Sequence, residues 1–399
     1  MPKTKTKPAD EELAIIEAPD DAILAFRVDI DALAQSLELA GRAIPGRPSH
    51  MILANFLIQA DESVDPGKIM IRAFDLAIQI EVYVDAIVQQ YGSTTVPAKL
   101  LSEIVKRLDP GLLQVTVSPD HLVVLRSDTG RYEVKGMPDY DYPEPQTLDD
   151  GTTLELPLDD FRKRLSIVLP AASTEETKQV LTGVNFSADP ALKDLVLATT
   201  DGHRLHVASV AIPEEGWEVE RDRTIPAKAL TELTKVLNKS KSDTLTIRYG
   251  NALVEFACDD VEISARMMEG QFPNYRQLIP RTFAVNWTCD RQALLSSLER
   301  LQIFADQKSN IIQFEVTADQ VNLSSDVADV GSGKESLPCE STGDVVIAFN
   351  IKYVIEALKV LPATKATFCA NSPTSPVIIK PIGLEDPLML VMPVQVRGT

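Results

Sequence analysis

The stretch LATTDGHRLHVASV, Leu197–Val210, places Asp201, His203, Arg204 and His206 within six positions. Two imidazoles and a carboxylate so close could ligate a divalent metal or relay a proton. The residues around them predict something else. Asp201-Gly202 is a strong turn pair between two apolar, β-branched runs. Successive side chains on a strand alternate faces, so His203 and His206, three apart, point opposite ways. That arrangement fits a shared metal or a catalytic triad poorly. No GxSxG, Walker A, HExxH or GxGxxG stands in a supporting context. The four cysteines, Cys258, Cys289, Cys339 and Cys369, lie outside metal-ligand spacing and read as apolar fillers in a reducing cytosol. No cofactor and no metal are expected. An acidic, β-rich, metal-dependent enzyme using the Asp201/His203/His206 turn is the alternative reading.

The elements that must position this turn announce themselves by repetition. TTVPAKLLSEIVKRL, Thr94–Leu108, returns as TIPAKALTELTKVL, Thr224–Leu237, with eight identities in fourteen aligned positions at an offset of 129 residues. A weaker third copy, IAFNIKYVIEALKV, spans Ile347–Val360. In each a strand ends and an amphipathic helix begins, with Pro97 and Pro226 at the start, where a missing N–H costs nothing. Such a long-period repeat implies repeated domains. Helices are predicted at about 31–39, 97–108, 158–169, 226–241, 290–304 and 350–360, with Asp31 capping the first. Strands fill the intervals, and the phrases Tyr142-Pro143 and Phe272-Pro273 close the first two blocks. The expected fold is α+β, in three similar domains at 23–149, 150–280 and 281–399. Each has two halves in which one helix covers an antiparallel sheet. Residues 1–22 read as a disordered extension without a secretory h-region.

Net charge is −19 over 399 residues, which taken alone argues against a nucleic-acid binder. The acid is unevenly placed. The six predicted helical segments sum to a small positive charge, so strands, loops and the N-terminus hold the excess acid. A polyanion would therefore meet helices.

TDGHRL, the block ending EGQFPNYRQLIP, the VPAK and IPAK helices and the terminal VMPV together resemble the beta subunit of bacterial DNA polymerase III, the replicative sliding clamp. The resemblance runs from about residue 23 to 396. It implies a non-enzymatic homodimeric ring around double-stranded DNA, cytoplasmic and nucleoid-associated. Such a ring tethers the replicative polymerase and is opened by an ATP-dependent loader. It also implies a pocket for partner peptides, made here by Leu181, Thr200, Gly202, His203, Arg204, Leu205, Pro273, Leu278, Val391, Met392, Pro393 and Val394. The tail Gln395–Thr399 runs longer than the family pattern.

By the same resemblance, DNA contact is sparse and directed at phosphate. The GRP loop presents Arg47 and the second-domain loop Lys178, while Lys99, Lys106, Arg107, Arg162, Lys163, Arg164, Lys228 and Lys235 on the helices face the duplex or water. The subunit interface would join Arg131, Tyr132 and Val134 of domain 1 to Ile303 and Phe304 of domain 3. Asp326 and Asp329, in an acidic loop, would pair with Arg131. A clamp-related peptide scaffold that has lost loading has the same sequence signature.

Overall fold

The computed structural model describes residues 19–60, 67–144, 148, 152–189, 193–212, 222–305, 310–327 and 331–395. The expected N-terminal extension up to residue 18, Asp329 and the tail from Val396 lie outside them. The chain packs as two compact units, residues up to 146 with Asp260–Ile263, and the remainder.

The first unit holds α1 (Ile30–Ala40) and α2 (Ala98–Val105), packed on each other. Its strands run antiparallel in the spatial order Arg131–Lys135, Leu122–Arg126, Leu112–Val117, Leu24–Asp29, Ile78–Gln90, Lys68–Phe74, Asn55–Ala60, Gly92–Pro97. The thirteen-residue strand Ile78–Gln90 joins two sheets: its first half pairs with Lys68–Phe74 and its second with Leu24–Asp29. Alternation predicted only Ala77–Val84, because AIVQQ beyond it loses the apolar period. Asp29, not Asp31, caps α1, its Oδ1 accepting from Ala32 N at 2.9 Å. Asp31 instead supplies negative charge to the first turn, where it suits the helix dipole.

The second unit holds α3 (Leu158–Val168) with α4 (Ala227–Leu237), and α5 (Arg291–Leu301) with α6 (Ile351–Val360). One nine-stranded sheet runs Arg223–Pro226, Gly183–Asp189, Asp194–Thr200, Arg204–Ala211, Leu388–Val391, Val377–Pro381, Lys365–Ala370, Val285–Asp290, Glu340–Ser341. A four-stranded sheet runs Gly331–Pro338, Gln320–Val327, Ile311–Val316, Val345–Asn350. Six helices and three helix pairs give the predicted threefold repeat.

Three helices end earlier than their periodicity predicts. α2 stops at Val105, α4 at Leu237 and α5 at Leu301. Lys106, Arg107, Lys239 and Lys241 therefore lie past the helix ends, and most of the positive excess assigned to helices belongs to these end turns. Pro97, Pro157 and Pro226 each occupy the cap position, one residue before the first helical residue, and also close a strand. Asp290 and Asn350 do the same work with a side chain, accepting from Ala293 N at 2.8 Å and Lys352 N at 3.0 Å. Asp326 is on the strand Gln320–Val327, not in a loop, because GSGKESLP (Gly331–Pro338) is itself a strand that pairs with it. Glycine, serine and lysine there give no apolar alternation, and the sequence reading missed it.

Candidate functional site: a hollow beside the TDGHRL turn

The turn is built as its residues dictate. Gly202 has φ +94°, a conformation open to glycine and strained for other residues. Asp201 Oδ1 accepts from His203 N at 2.8 Å and Arg204 N at 3.0 Å, and Thr200 Oγ1 donates to Arg204 O at 2.6 Å. The strand leaving the turn pairs with the C-terminal strand, Arg204 opposite Val391 and Leu205 opposite Leu390. Met392 N then donates to His203 O at 2.9 Å, and Val394 N to Ala348 O at 2.8 Å. Segments nearly two hundred residues apart are thus fastened side by side.

Beneath them lies one apolar cluster. Ala198, Leu205, Phe272, Tyr275, Cys369, Ile378 and Leu390 are buried, with Val180, Leu181, Val207, Ile279, Phe283 and Leu388 packed against it. Thr200, Pro393 and Val394 are half-buried, and Gly202, His203, Pro273, Leu278 and Met392 are exposed around the rim. Val391 is fully buried and paired on both sides, so it supports the hollow as core. Leu278 is 60% exposed, while its neighbour Ile279 packs on the cluster. A cavity of about 240 Å³ lies beside Val394, lined also by Gln313, Val346, Ala348, Pro373 and Thr374.

Arg204 does not stand ready for a ligand as expected. Its Nε donates to Asp201 Oδ2 at 3.0 Å, Nη1 to the Glu356 carboxylate, and Nη2 to Pro170 O at 2.6 Å. Its guanidinium carbon lies 4.6 Å from the Tyr353 ring centroid. It pins the turn to α6 and to the end of α3. His203 also stacks on Tyr353, their ring centroids 6.4 Å apart. Tyr353 and Glu356 are site residues that the sequence reading missed. The third repeat copy carried them, but nothing local ties α6 to a turn 150 residues earlier.

The two histidines separate as alternation requires. His206 is wholly buried, its Nδ1 2.8 Å from Ile167 O, and burial pushes its pKa down to about 4. Among the described residues, no group of three His, Cys, Asp or Glu side chains is placed to hold a metal ion.

The other expected residues are dispersed. Arg47, Lys99, Lys106, Arg107, Lys228 and Lys235 are exposed. Lys235 pairs with Glu232 at 2.7 Å and Arg107 sits 3.8 Å from Glu103. Arg162, Lys163 and Arg164 pair with Asp159 and Asp160 on their own helix, and Arg164 also with Asp386 at 2.6 Å. Lys178 lies 3.1 Å from Glu175 and donates to Asp201 O at 3.4 Å, so it leans on the turn rather than standing clear. Tyr132 is exposed on the edge strand, but Val134 is buried in its own unit, opposite Val123. Ile303 is 76% exposed, whereas Phe304 packs over Gly331 and Gly333. Arg131 pairs with Glu133 of its own strand at 2.5 Å, and Asp326 is exposed.

A threefold-repeated architecture of helix pairs on antiparallel sheets is that of the DNA clamps. The family models described as the N-terminal, central and C-terminal domains of DNA polymerase III beta subunit match residues 24–148, 155–274 and 276–395. The beta sliding clamp of Synechocystis sp. is 37% identical over 388 residues, covering 91% of this chain and 97% of that one. That of Bacillus subtilis is 26% identical over 387 residues, covering 93% and 100%. The crystal structure of a sliding clamp from Bartonella birtlesii bound to griselimycin superposes with a TM-score of 0.88 at 26% identity, covering 94% of this chain and all of that one. The chain belongs to the DNA polymerase III beta subunit family, the bacterial sliding clamps, which are processivity factors and not enzymes.

Proposed function

We propose that this chain forms a head-to-tail homodimeric ring around duplex DNA and holds the replicative polymerase there through a peptide seated beside the TDGHRL turn. The observation that carries the peptide reading is the fastening of Met392 to His203 above the cluster of Leu205, Phe272 and Leu390. It brings three distant segments together around apolar side chains with polar groups beside them, which supports a site that takes short peptides by apolar anchors. Griselimycin bound to the Bartonella clamp supports a ligand site on this fold.

Two sheet edges support ring closure. Arg131–Lys135 ends the strand path of the first unit, and Gly331–Pro338 ends the four-stranded sheet of the second. Each offers a row of backbone groups that a second copy can pair. Tyr132 and Ile303 are the apolar side chains exposed beside them. A heterologous contact of this kind, repeated once, closes a ring only when the rotation is right. Within the ring, Arg47 and the lysines near the ends of α2 and α4 would meet phosphate without reading sequence, which suits sliding. Opening such a ring requires an ATP-dependent loader, and the site of function is the cytoplasmic nucleoid.

The test has two parts. Native mass should be that of a dimer, and protein loaded on circular DNA should stay there but run off once the DNA is linearised. Removing Met392–Thr399 should abolish binding of a short apolar-aromatic peptide while leaving the dimer. A monomer, equal retention on linear and circular DNA, or undiminished peptide affinity would each defeat the corresponding part.

A further inference from the structure

On the strand Gly183–Asp189, Val184 and Phe186 are buried on one face, and Asn185 and Ser187 lie on the other. Cross-strand partners share a face, and Asn185 pairs with Ala198, Ala198 with Val207, and Val207 with Leu388. Asn185, with Thr224 outside it, is therefore the polar part of a row whose inner members, Ala198, Val207 and Leu388, belong to or pack on the apolar cluster. It is only 1% exposed, yet among the described residues neither its Oδ1 nor its Nδ2 has a hydrogen-bond partner. Buried carboxamides are normally paired, and one left unpaired is costly. Asn185 lines a cavity of about 580 Å³ bounded by Asp222, Thr224, Phe272, Pro273 and Arg276. Pockets for ligands span roughly 300–1,000 Å³. Arg276 is held at the wall by its bond to Ser187 Oγ at 3.0 Å.

We infer that this cavity is a second peptide subsite, in which the Asn185 carboxamide holds the main chain of extended residues flanking the partner peptide's apolar anchor. The inference rests on the peptide reading above. In an extended chain, the N–H and C=O of one residue point to the same side. A carboxamide presents an acceptor and a donor side by side, so its Oδ1 accepts from that N–H and its NH₂ donates to that C=O. The ligand group is uncharged, as suits a buried neutral partner, and Asp222 and Arg276 give the rim one charge of each sign. Phe272 and Tyr275 both line this cavity and belong to the apolar cluster beneath the TDGHRL turn. A peptide anchored there reaches the second by crossing the Phe272-Pro273 segment.

Fluorescence anisotropy would compare a core apolar-aromatic peptide with versions extended by three small uncharged residues at either end. One extension should tighten binding to the unaltered dimer roughly tenfold, the yield of two net hydrogen bonds. Asn185→Ala should erase that gain and leave affinity for the core peptide unchanged, which also shows that the variant folds. N-methylation of the extension's amides should erase the gain on the unaltered protein, a readout independent of any variant. No gain from either extension, or a gain that survives Asn185→Ala or N-methylation, overturns the inference and leaves a water-filled cavity. Failure of the core peptide to bind at all would overturn the first pocket, and this inference with it.

Discussion

Arg204 and His206 are neighbours with opposite duties. Arg204 joins the Asp201 turn, the Glu356 carboxylate on α6 and the Pro170 carbonyl, with its side chain 9% exposed. Removing a nearly buried charge leaves its partners unpaired, although Glu356 is part-exposed and water compensates some of the loss. Arg204→Ala should cost about 2 kcal/mol in denaturant unfolding and weaken peptide binding by letting the turn drift from Met392. Unchanged stability would contradict the linking role. His206 carries a pH signature. Its folded pKa of about 4 lies below the ordinary value of 6.5. The unfolded chain therefore binds the extra proton first, and stability rises with pH across this window. The contribution should be complete above about pH 6.5 and fall by roughly 3 kcal/mol as pH drops to 4, at ~1.4 kcal/mol per unit. His206→Gln should remove this part of the slope in urea melts taken between pH 4 and 7. An equal slope in the variant would place the titration elsewhere.

At the scale of elements, Leu388–Val391 is where the peptide hollow and the sheet depend on each other. Cutting before Val391 removes core, since Val391 is fully buried between two strands. Cutting after it removes only the rim. Removal of Val391–Thr399 should therefore lower the unfolding midpoint as well as abolish peptide binding, by a few kcal/mol, whereas removal of Met392–Thr399 should abolish binding with little loss of stability. Equal melting curves for the two truncations would refute this division. The sequence made the turn and the helices legible because Asp-Gly, VPAK and IPAK are local signals whose physics is complete within a few residues. It hid what depends on distance. Tyr353 and Glu356 meet Arg204 only because α6 packs beside the end of α3, and no periodicity reports that. It also hid Gly331–Pro338, whose strand state comes from pairing with Gln320–Val327 and not from its own side chains. Helix ends were overrun for a related reason: Leu108 and Lys239 prolong the apolar and polar pattern into turns where their N–H groups reach back only three residues, to Val105 O and Val236 O.

For the whole molecule, the side chains exposed at the two sheet edges set the assembly predictions. Ile303 points outward while Phe304 covers Gly331 and Gly333. Ile303→Asp should yield a folded monomer in light scattering that binds peptide and slides off circular DNA. Phe304→Asp should instead damage its own domain and lower the melting temperature. A dimeric Ile303→Asp protein would move the interface away from this edge. Arg47→Ala should weaken retention on DNA alike for all sequences and reduce the salt dependence by about one phosphate contact. Lys178→Ala should have a smaller effect, because Glu175 and the Asp201 carbonyl already hold that ammonium group. A larger effect of Lys178 than of Arg47 would reverse that ranking.

The final strand of the described residues is also the middle strand of the nine-stranded sheet. Leu388–Val391 lies between Arg204–Ala211 and Val377–Pro381, so both of those strands keep an open side until residue 391 has been synthesised. Domains fold in order as they emerge from the ribosome, but this sheet cannot close in that order. Until Met392 has emerged from the ribosome, the TDGHRL turn lacks the bond from Met392 N to His203 O that fastens it. A chain stopped before Leu388 would carry two unpaired strand edges in place of the proposed docking site.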